Sequence, residues 1–179
     1  MPNYLRHRIT GGTYFFTVAL ADRRSDRLIR DIESLRASVA RVRTLHPFHI
    51  DAWVVLPDHL HAVWTLPEGD ADYSMRWSLI KRGFSASSET RENRSASKIA
   101  KGERGFWQRR FWEHTIRDEA DFARHVDYVH FNPVKHGLAD NAADWPFSSF
   151  RRAVARGDYP PDWGIGHEVV GKYGERPGQ

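Results

Sequence analysis

The chain is predicted to adopt an α+β fold of the ferredoxin-like, split βαβ kind, and three observations carry that prediction. Strand-like and helix-like segments alternate in the order β-α-β-β-α-β-α. The second and third strands are separated only by Pro57-Asp58, which makes them a hairpin. At 179 residues and 40% hydrophobic content, the chain is long enough to close one core and too short to expect two. The expected architecture is an antiparallel sheet with helices packed on one face, plus one added helix and an irregular C-terminal tail. Residues 1–138 are assigned to the domain and residues 139–179 to the tail.

The first strand is placed at Tyr14 to Leu20, which is rich in aromatic and β-branched residues and follows a Gly11-Gly12 turn. Leu28, Ile29, Ile32, Leu35, Val39, Val42 and Leu45 recur at helical spacing, giving an amphipathic helix over 28–45. From Phe48 to Leu56 the residues Phe48, Ile50, Ala52, Val54 and Leu56 alternate as in a strand. His59 to Leu66 alternates again, with His59, His61, Val63 and Thr65 on one face and Leu60, Ala62, Trp64 and Leu66 on the other. The apolar set is the natural core face, which turns both histidines toward a cleft or solvent. A helix is expected from Ser74 to about Phe84, with Met75, Leu79 and Ile80 inward. The polar, Ser/Arg/Lys-rich stretch from Ser85 to Gly105 reads as a mobile loop. Trp107 to Ile116 supplies the fourth strand. Asp118 to Phe131 is a helix with acidic residues in its first turn and Phe122, Ala123, Val126 and Val129 as its buried stripe. From Ala139 onward, prolines and glycines indicate an irregular tail packed by Trp145, Phe147 and Trp163.

Composition narrows the chemistry. There is no cysteine, so disulfides, thiolate metal sites and cysteine nucleophiles are excluded, and any metal binds through nitrogen and oxygen. The longest clean apolar run, Ala52 to Leu56, is far too short to span a membrane. The aromatic stretch after Arg6 and Arg8 is too short and too interrupted for a signal peptide, so a cytoplasmic protein is expected. The net charge is +4, yet residues 81–110 hold nine Lys or Arg against three Glu, a net of +6. A basic segment of this kind suits a polyanion such as nucleic acid, or serves as a solvated surface loop.

Two imidazoles at i, i+2 on a strand point the same way and form half a metal site, although a lone His-x-His is as often a pair of exposed polar residues. In the helix from Asp118, the residues Asp121, His125, Tyr128 and Asn132 follow at i, i+4, i+7 and i+11 on the side opposite the apolar stripe. Together with the basic segment these groups point to a metal-dependent tyrosine nucleophile acting on phosphodiesters. Such a reaction needs a phenol in line with phosphorus and a cation to offset charge on the non-bridging oxygens. His125 and His130 are candidate bases.

Four segments resemble the HUH single-tyrosine transposases, and within them the REP-associated tyrosine transposases. They are Leu56-Pro57-Asp58-His59-Leu60-His61, the run from Phe106 to His114, the run Tyr128-Val129-His130-Phe131-Asn132-Pro133 continuing to Leu138, and Trp145-Pro146-Phe147-Ser148-Ser149. The resemblance spans roughly 13–150. It implies that Tyr128 is the nucleophile and that His59, His61 and Asn132 bind Mg2+ or Mn2+. It further implies a substrate of single-stranded DNA with an imperfect REP-type hairpin and an adjacent tetranucleotide, cut through a 5′-phosphotyrosine link. On this reading the basic segment clamps the hairpin backbone through Lys81, Arg82, Arg104, Arg109 and Arg110, while Trp107 and Trp112 are available to stack on bases, one of the two being expected in the core instead. The resemblance also implies a monomer. Three other readings remain open: a non-catalytic hairpin DNA-binding regulator, a different HUH enzyme, and a phosphoesterase in which water attacks.

Overall fold

The computed structural model describes residues 8–87 and 105–165. The fold follows the predicted order: β1 (Thr13–Ala19), α1 (Arg27–Arg30), α2 (Ile32–Leu45), β2 (His49–Val55), β3 (His59–Thr65), α3 (Tyr73–Ser87), β4 (Trp112–Thr115) and α4 (Glu119–Lys135). A 3-10 turn (Ala142–Asp144) and a short helix α5 (Phe150–Arg156) follow. The four strands form one antiparallel sheet in the order β2-β3-β1-β4, the ferredoxin-like arrangement. Residues 88–104 of the expected loop lie outside the described residues, and Ser85–Ser87 continue α3.

The first face of the sheet carries Tyr14, Phe16, Val18, Leu60, Ala62 and Trp64, and α2 and α3 close over it. Its centre is a stack of rings, with Trp64 lying 4.2 Å from Trp77 at an interplanar angle of 15°. The buried residues of α3 are Tyr73, Arg76, Trp77, Ile80, Phe84 and Ser85; of the expected inward set Ile80 is buried, Leu79 packs half-buried against the core, and Met75 is half-buried outside it. Arg76 is acceptable there because it is ion-paired to Asp70 at 2.6 Å and donates to the carbonyls of His46, Pro47 and Asp72. The expected helix over 28–45 breaks at Asp31 (φ −103°, ψ 30°), and α2 restarts with Ser34 and Leu35 donating to the Asp31 carbonyl.

The added helix α4 covers the opposite face, where Phe15, Ala52, Val54 and Val63 meet Val126, Tyr128 and Val129 in a second core. This second layer corrects two expectations. Both faces of β3 are buried, so His59 and His61 do not look out to solvent. The alternation of β2 also changes phase at an irregularity between Ile50 and Ala52. Phe48 and Ile50 join the first core, whereas Ala52 and Val54 switch to the second and Trp53 and Val55 to the first. One extra residue in a strand reverses the facing of everything after it.

The tail is more ordered than its composition implies. Trp145 to Ser149 runs along the exposed edge of β2: Val55 N–H donates to the Phe147 carbonyl (2.8 Å), Ser149 N–H to the Trp53 carbonyl (2.8 Å), and the Trp145 indole N–H to the Val55 carbonyl (2.9 Å). An unpaired edge is thereby covered. Ser149 Oγ accepts from Trp53 N–H and lies within hydrogen-bond distance, 3.0 Å, of His130 Nε2. Burial, reinforced by Arg156 and Arg152, pushes His130 down to about 4. The unfolded imidazole takes up its proton near pH 6.5 and the folded one does not, so the unfolded state binds more protons between those values. The contribution of His130 to stability is therefore complete above pH 6.5 and is lost as pH falls toward 4, by about 3 kcal/mol. Urea titrations at pH 7 and pH 4.5 are expected to show a larger loss in wild type than in His130→Gln; equal losses would remove His130 as the cause.

α4 ends in a closed turn. Leu138 N–H donates to the Pro133 carbonyl and Gly137 N–H to the Val134 carbonyl, both at 2.9 Å, and Gly137 has φ +64°. The helix runs through Pro133 to Lys135, so Asn132 stays in regular helix despite preceding a proline. A Gly137 side chain would meet nothing within 4 Å, so Gly137→Ala carries only the left-handed backbone cost. A loss of about 1 kcal/mol in urea unfolding is expected, and no loss would show that the turn tolerates a Cβ.

Candidate functional site

The polar stripe of α4 faces the sheet. Asp121, His125, Tyr128 and Asn132 are 2%, 6%, 1% and 0% exposed. Of the residues expected on the buried stripe, Val126 and Val129 are buried, Phe122 is half-buried and Ala123 is exposed. The helix can bury these polar groups because the sheet beneath offers polar partners. In the strand register Phe15 and Thr17 of β1 pair with Val63 and His61 of β3 and with His114 and Trp112 of β4. All of these lie beneath α4.

Two groupings result. In the first, His59 and His61 project from β3 with ring centroids 5.0 Å apart, and the His61 ring lies 5.2 Å from that of Tyr128, edge to face. Each imidazole is braced through Nδ1. His61 Nδ1 is 2.9 Å from Thr17 Oγ1, and His59 Nδ1 is 2.8 Å from Asp58 Oδ1, while the other carboxylate oxygen, Asp58 Oδ2, is paired with Arg23 Nε at 2.8 Å. Burial raises the Asp58 carboxyl, but the bond from His59 and the Arg23 charge outweigh it and hold the group below its ordinary range. A carboxylate or hydroxyl behind Nδ1 is how metal-binding histidines are oriented with Nε2 toward the ion. A recess of about 270 Å³ lined by Arg23, Arg24, Pro57, Asp58, His59 and His136 opens beside this pair.

The second grouping was not found from the sequence. His114, Asp121 and His125 bring three potential ligand atoms within 4.8 Å of one another, a donor set suited to a divalent cation. His114 Nε2 lies 2.8 Å from Asp121 Oδ2, and the His114 and His125 rings stack at 4.6 Å. Asp121 also accepts from Arg117 N–H (3.0 Å) and Arg124 (3.1 Å), and its own N–H donates to the N-cap Asp118 (2.7 Å). Against the penalty of burial, these donors keep Asp121 ionised well below the ordinary carboxylate range. Burial also pushes the His125 imidazole down. The i, i+4 pair Asp121/His125 was visible in the sequence; the third member, on the short strand β4, was not. The Phe15 ring contacts both groupings, lying 5.5 Å from His61, 4.9 Å from His125 and 5.9 Å from Tyr128.

Tyr128 has the stereochemistry of an addressed phenol. Lys135 Nζ, two turns further along α4, donates to its hydroxyl at 3.0 Å. Among the described residues the other tyrosines are poorer candidates. Tyr14 and Tyr73 lie in the first core. Tyr159 donates to Asp127 at 2.5 Å, and burial together with that carboxylate pushes its phenol far above the ordinary range.

The residues expected to contact DNA separate by burial. Arg82, Arg109 and Arg110 are exposed, and Arg104 lies outside the described residues. Trp107 is packed against Phe84 with its indole N–H on the Lys81 carbonyl (3.2 Å), and Lys81 Nζ donates to the Gln108 carbonyl (3.1 Å). These two lash α3 to the segment before β4. Trp112 is half-buried on the second face beside Phe15 and His114. Trp107 is thus the tryptophan of the pair that serves the core.

A ferredoxin-like sheet whose paired strand histidines lie under a helix bearing a single sheet-facing tyrosine defines the HUH single-tyrosine transposase class. No protein-family model matches the chain. A REP-associated tyrosine transposase of Escherichia coli K12 is 50% identical over 163 residues, covering 91% of each chain. A Haemophilus influenzae protein provisionally assigned to the same family is 44% identical, covering 92% of this chain and 94% of its own. A solved structure of a REP-associated tyrosine transposase bound to a REP hairpin superposes with a TM-score of 0.84 at 48% identity, covering 98% of both chains. The chain belongs to the REP-associated tyrosine transposase family. Among the described residues, no helix is long and apolar enough to cross a membrane.

Proposed function

We propose that this chain is a metal-dependent single-stranded DNA nuclease and strand transferase that acts beside REP-type hairpins, with Tyr128 as its nucleophile. The observation that carries the reading is the burial of Tyr128 against His61, with ring centroids 5.2 Å apart, on the sheet-facing side of α4. His59, His61 and Asn132 hold the cation. The bracing of both imidazoles through Nδ1 supports this set over the His114 grouping, whose carboxylate is already engaged by two arginines and a histidine. Mg2+ or Mn2+ is the expected ion, and it supplies offset for the negative charge on the non-bridging phosphate oxygens. Tyr128 forms the Oη–P bond as the P–O3′ bond breaks. The phenolic proton passes to water, and the departing 3′-oxygen takes one from water. Rejoining to another 3′-hydroxyl reverses these events, so bond energy is conserved and no nucleotide triphosphate is required.

The DNA hairpin and its adjacent tetranucleotide are held by the exposed Arg82, Arg109 and Arg110 with Trp112; Arg104, expected to join them, lies outside the described residues. Lys81 and Trp107 support it from within. The support for a hairpin substrate is the solved family member bound to a REP hairpin. The nuclease domain is assigned to residues 1–138, with residues 139–179 as a C-terminal tail packed on or extending it; the pairing of Trp145 to Ser149 with the edge of β2 supports packing for that part. The protein acts as a cytoplasmic monomer. Incubation of labelled hairpin oligonucleotides with Mn2+ or Mg2+ tests the reading. Wild type is expected to yield a slow-migrating covalent adduct on a denaturing gel, absent with chelator and with Tyr128→Phe. Hairpin binding without cleavage across a pool of flanking tetranucleotides would favour a DNA-binding regulator.

A further inference from the structure

We infer that Lys135 is a catalytic residue of this site: its ammonium, held on the Tyr128 hydroxyl, grips a non-bridging oxygen of the scissile phosphate while the tyrosyl bond forms. The inference rests on the tyrosine-nucleophile reading given above. Lys135 stands seven residues after Tyr128, two helical turns along the same face. Its Nζ lies 3.0 Å from the phenolic oxygen and 4.8 Å from the ring centroid.

Two features keep the cation there and a third leaves it accessible. Lys135 is the last residue of α4, where the negative end of the helix favours positive charge. The closing turn through Gly137 and Leu138 fixes the backbone from which the side chain starts. Lys135 is exposed as a residue, so its ammonium on the phenol stays open to an incoming phosphate. Any phosphorus placed within bonding reach of Tyr128 Oη also brings its non-bridging oxygens near Nζ. A lysine at this point therefore does what a metal alone on the His61 side does not. It adds positive charge from the helix side to the non-bridging oxygens, which carry the negative charge of the transition state while the Oη–P bond forms and the P–O3′ bond breaks. The same contact serves the reverse step, in which the Oη–P bond breaks and the phenolate departs.

The lysine and the phosphate charge can be tested against each other. Wild type, Lys135→Met and Lys135→Arg are compared on a hairpin oligonucleotide whose cleavage position has been mapped with wild type, and on the same oligonucleotide carrying a single methylphosphonate at that position. On the natural phosphodiester, Lys135→Met is expected to form adduct about a hundredfold more slowly, with Lys135→Arg restoring part of the rate. In EDTA, where no cleavage occurs, Lys135→Met is expected to bind the phosphodiester severalfold more weakly than wild type does, and the methylphosphonate equally well. A lysine that merely braces the fold would lower binding of both oligonucleotides alike, and that result overturns the inference. Wild-type adduct formation with an unchanged rate in Lys135→Met overturns the lysine alone. Failure of wild type to form any adduct overturns the tyrosine reading and the inference with it.

Discussion

Replacing His61 with alanine is expected to lower strand cleavage by at least about a hundredfold and to abolish Mn2+ binding, whereas His114→Ala is expected to change cleavage less than about tenfold. Both histidines lie beneath α4 and both belong to groupings with metal-donor chemistry, so the comparison decides which grouping serves the reaction. His61 is fully buried, is oriented by Thr17 and meets the Tyr128 ring, so its loss removes a ligand and a wall of the nucleophile's pocket together. His114, on β4, is stacked on His125 and tied to Asp121. Its removal leaves a buried carboxylate still paired with Arg117 and Arg124. Mn2+ titration calorimetry beside the cleavage rates checks the assignment. The opposite pattern, with His114→Ala losing metal and cleavage while His61→Ala keeps both, would move the ion to the second grouping.

Arg76→Leu is the stability change with the largest expected effect, a loss of about 3–5 kcal/mol. The guanidinium is 1% exposed and spends its donors on Asp70 and on the carbonyls of His46, Pro47 and Asp72. It thereby ties α3 to the connection between α2 and β2. The bond from Arg76 is also what chiefly holds the Asp70 carboxyl below its ordinary range. Leucine fills part of the volume but leaves three carbonyls short of a donor under the first core, each a desolvation cost. A chain of this size is expected to melt about 10 °C lower, as thermal unfolding followed by circular dichroism would show. A fall of under about 1 kcal/mol would mean that water replaces the guanidinium at little cost.

Local pattern carried the fold a long way. The order of elements, the hairpin at Pro57-Asp58 and the alternation of β3 are period-2 and period-3.6 signals, and the sheet order follows from them once the split βαβ connection is assumed. What periodicity could not show was the second layer. On α4 the stripe Asp121, His125, Tyr128 and Asn132 looked like the solvent side, because hydropathy ranks those residues as polar. They are buried because Thr17, His61 and His114 lie beneath them, and a helix cannot announce the chemistry of the sheet it lands on. The phase change in β2 was equally silent: Phe48 to Leu56 reads as one unbroken alternation, and only pairing with β3 reveals the extra residue at Asp51. The break at Asp31 falls in a sequence with no glycine or proline to mark it. The helix α5 is short enough that its arginine-rich sequence resembled tail. The His59/His61 pair and its distant tyrosine were legible because their spacing is local to one strand and one helix. The His114 grouping joins a four-residue strand to the first turns of α4, so it depended on seeing the elements assembled; Lys135 stands at i+7 from Tyr128 on one helix, a spacing the sequence holds, but only the folded side chains show its ammonium on the phenol.

The proposed reaction turns on the joining of DNA to Tyr128. The most direct measurement is to form the adduct on a hairpin oligonucleotide with Mn2+, digest both protein and DNA, and locate the nucleotide-bearing peptide by tandem mass spectrometry. A nucleotide 5′-phosphate is expected on Tyr128, in the peptide running from His125 to Lys135. Attachment to Tyr159 or another tyrosine, or cleavage that proceeds with no nucleotide-bearing peptide at all, would contradict it.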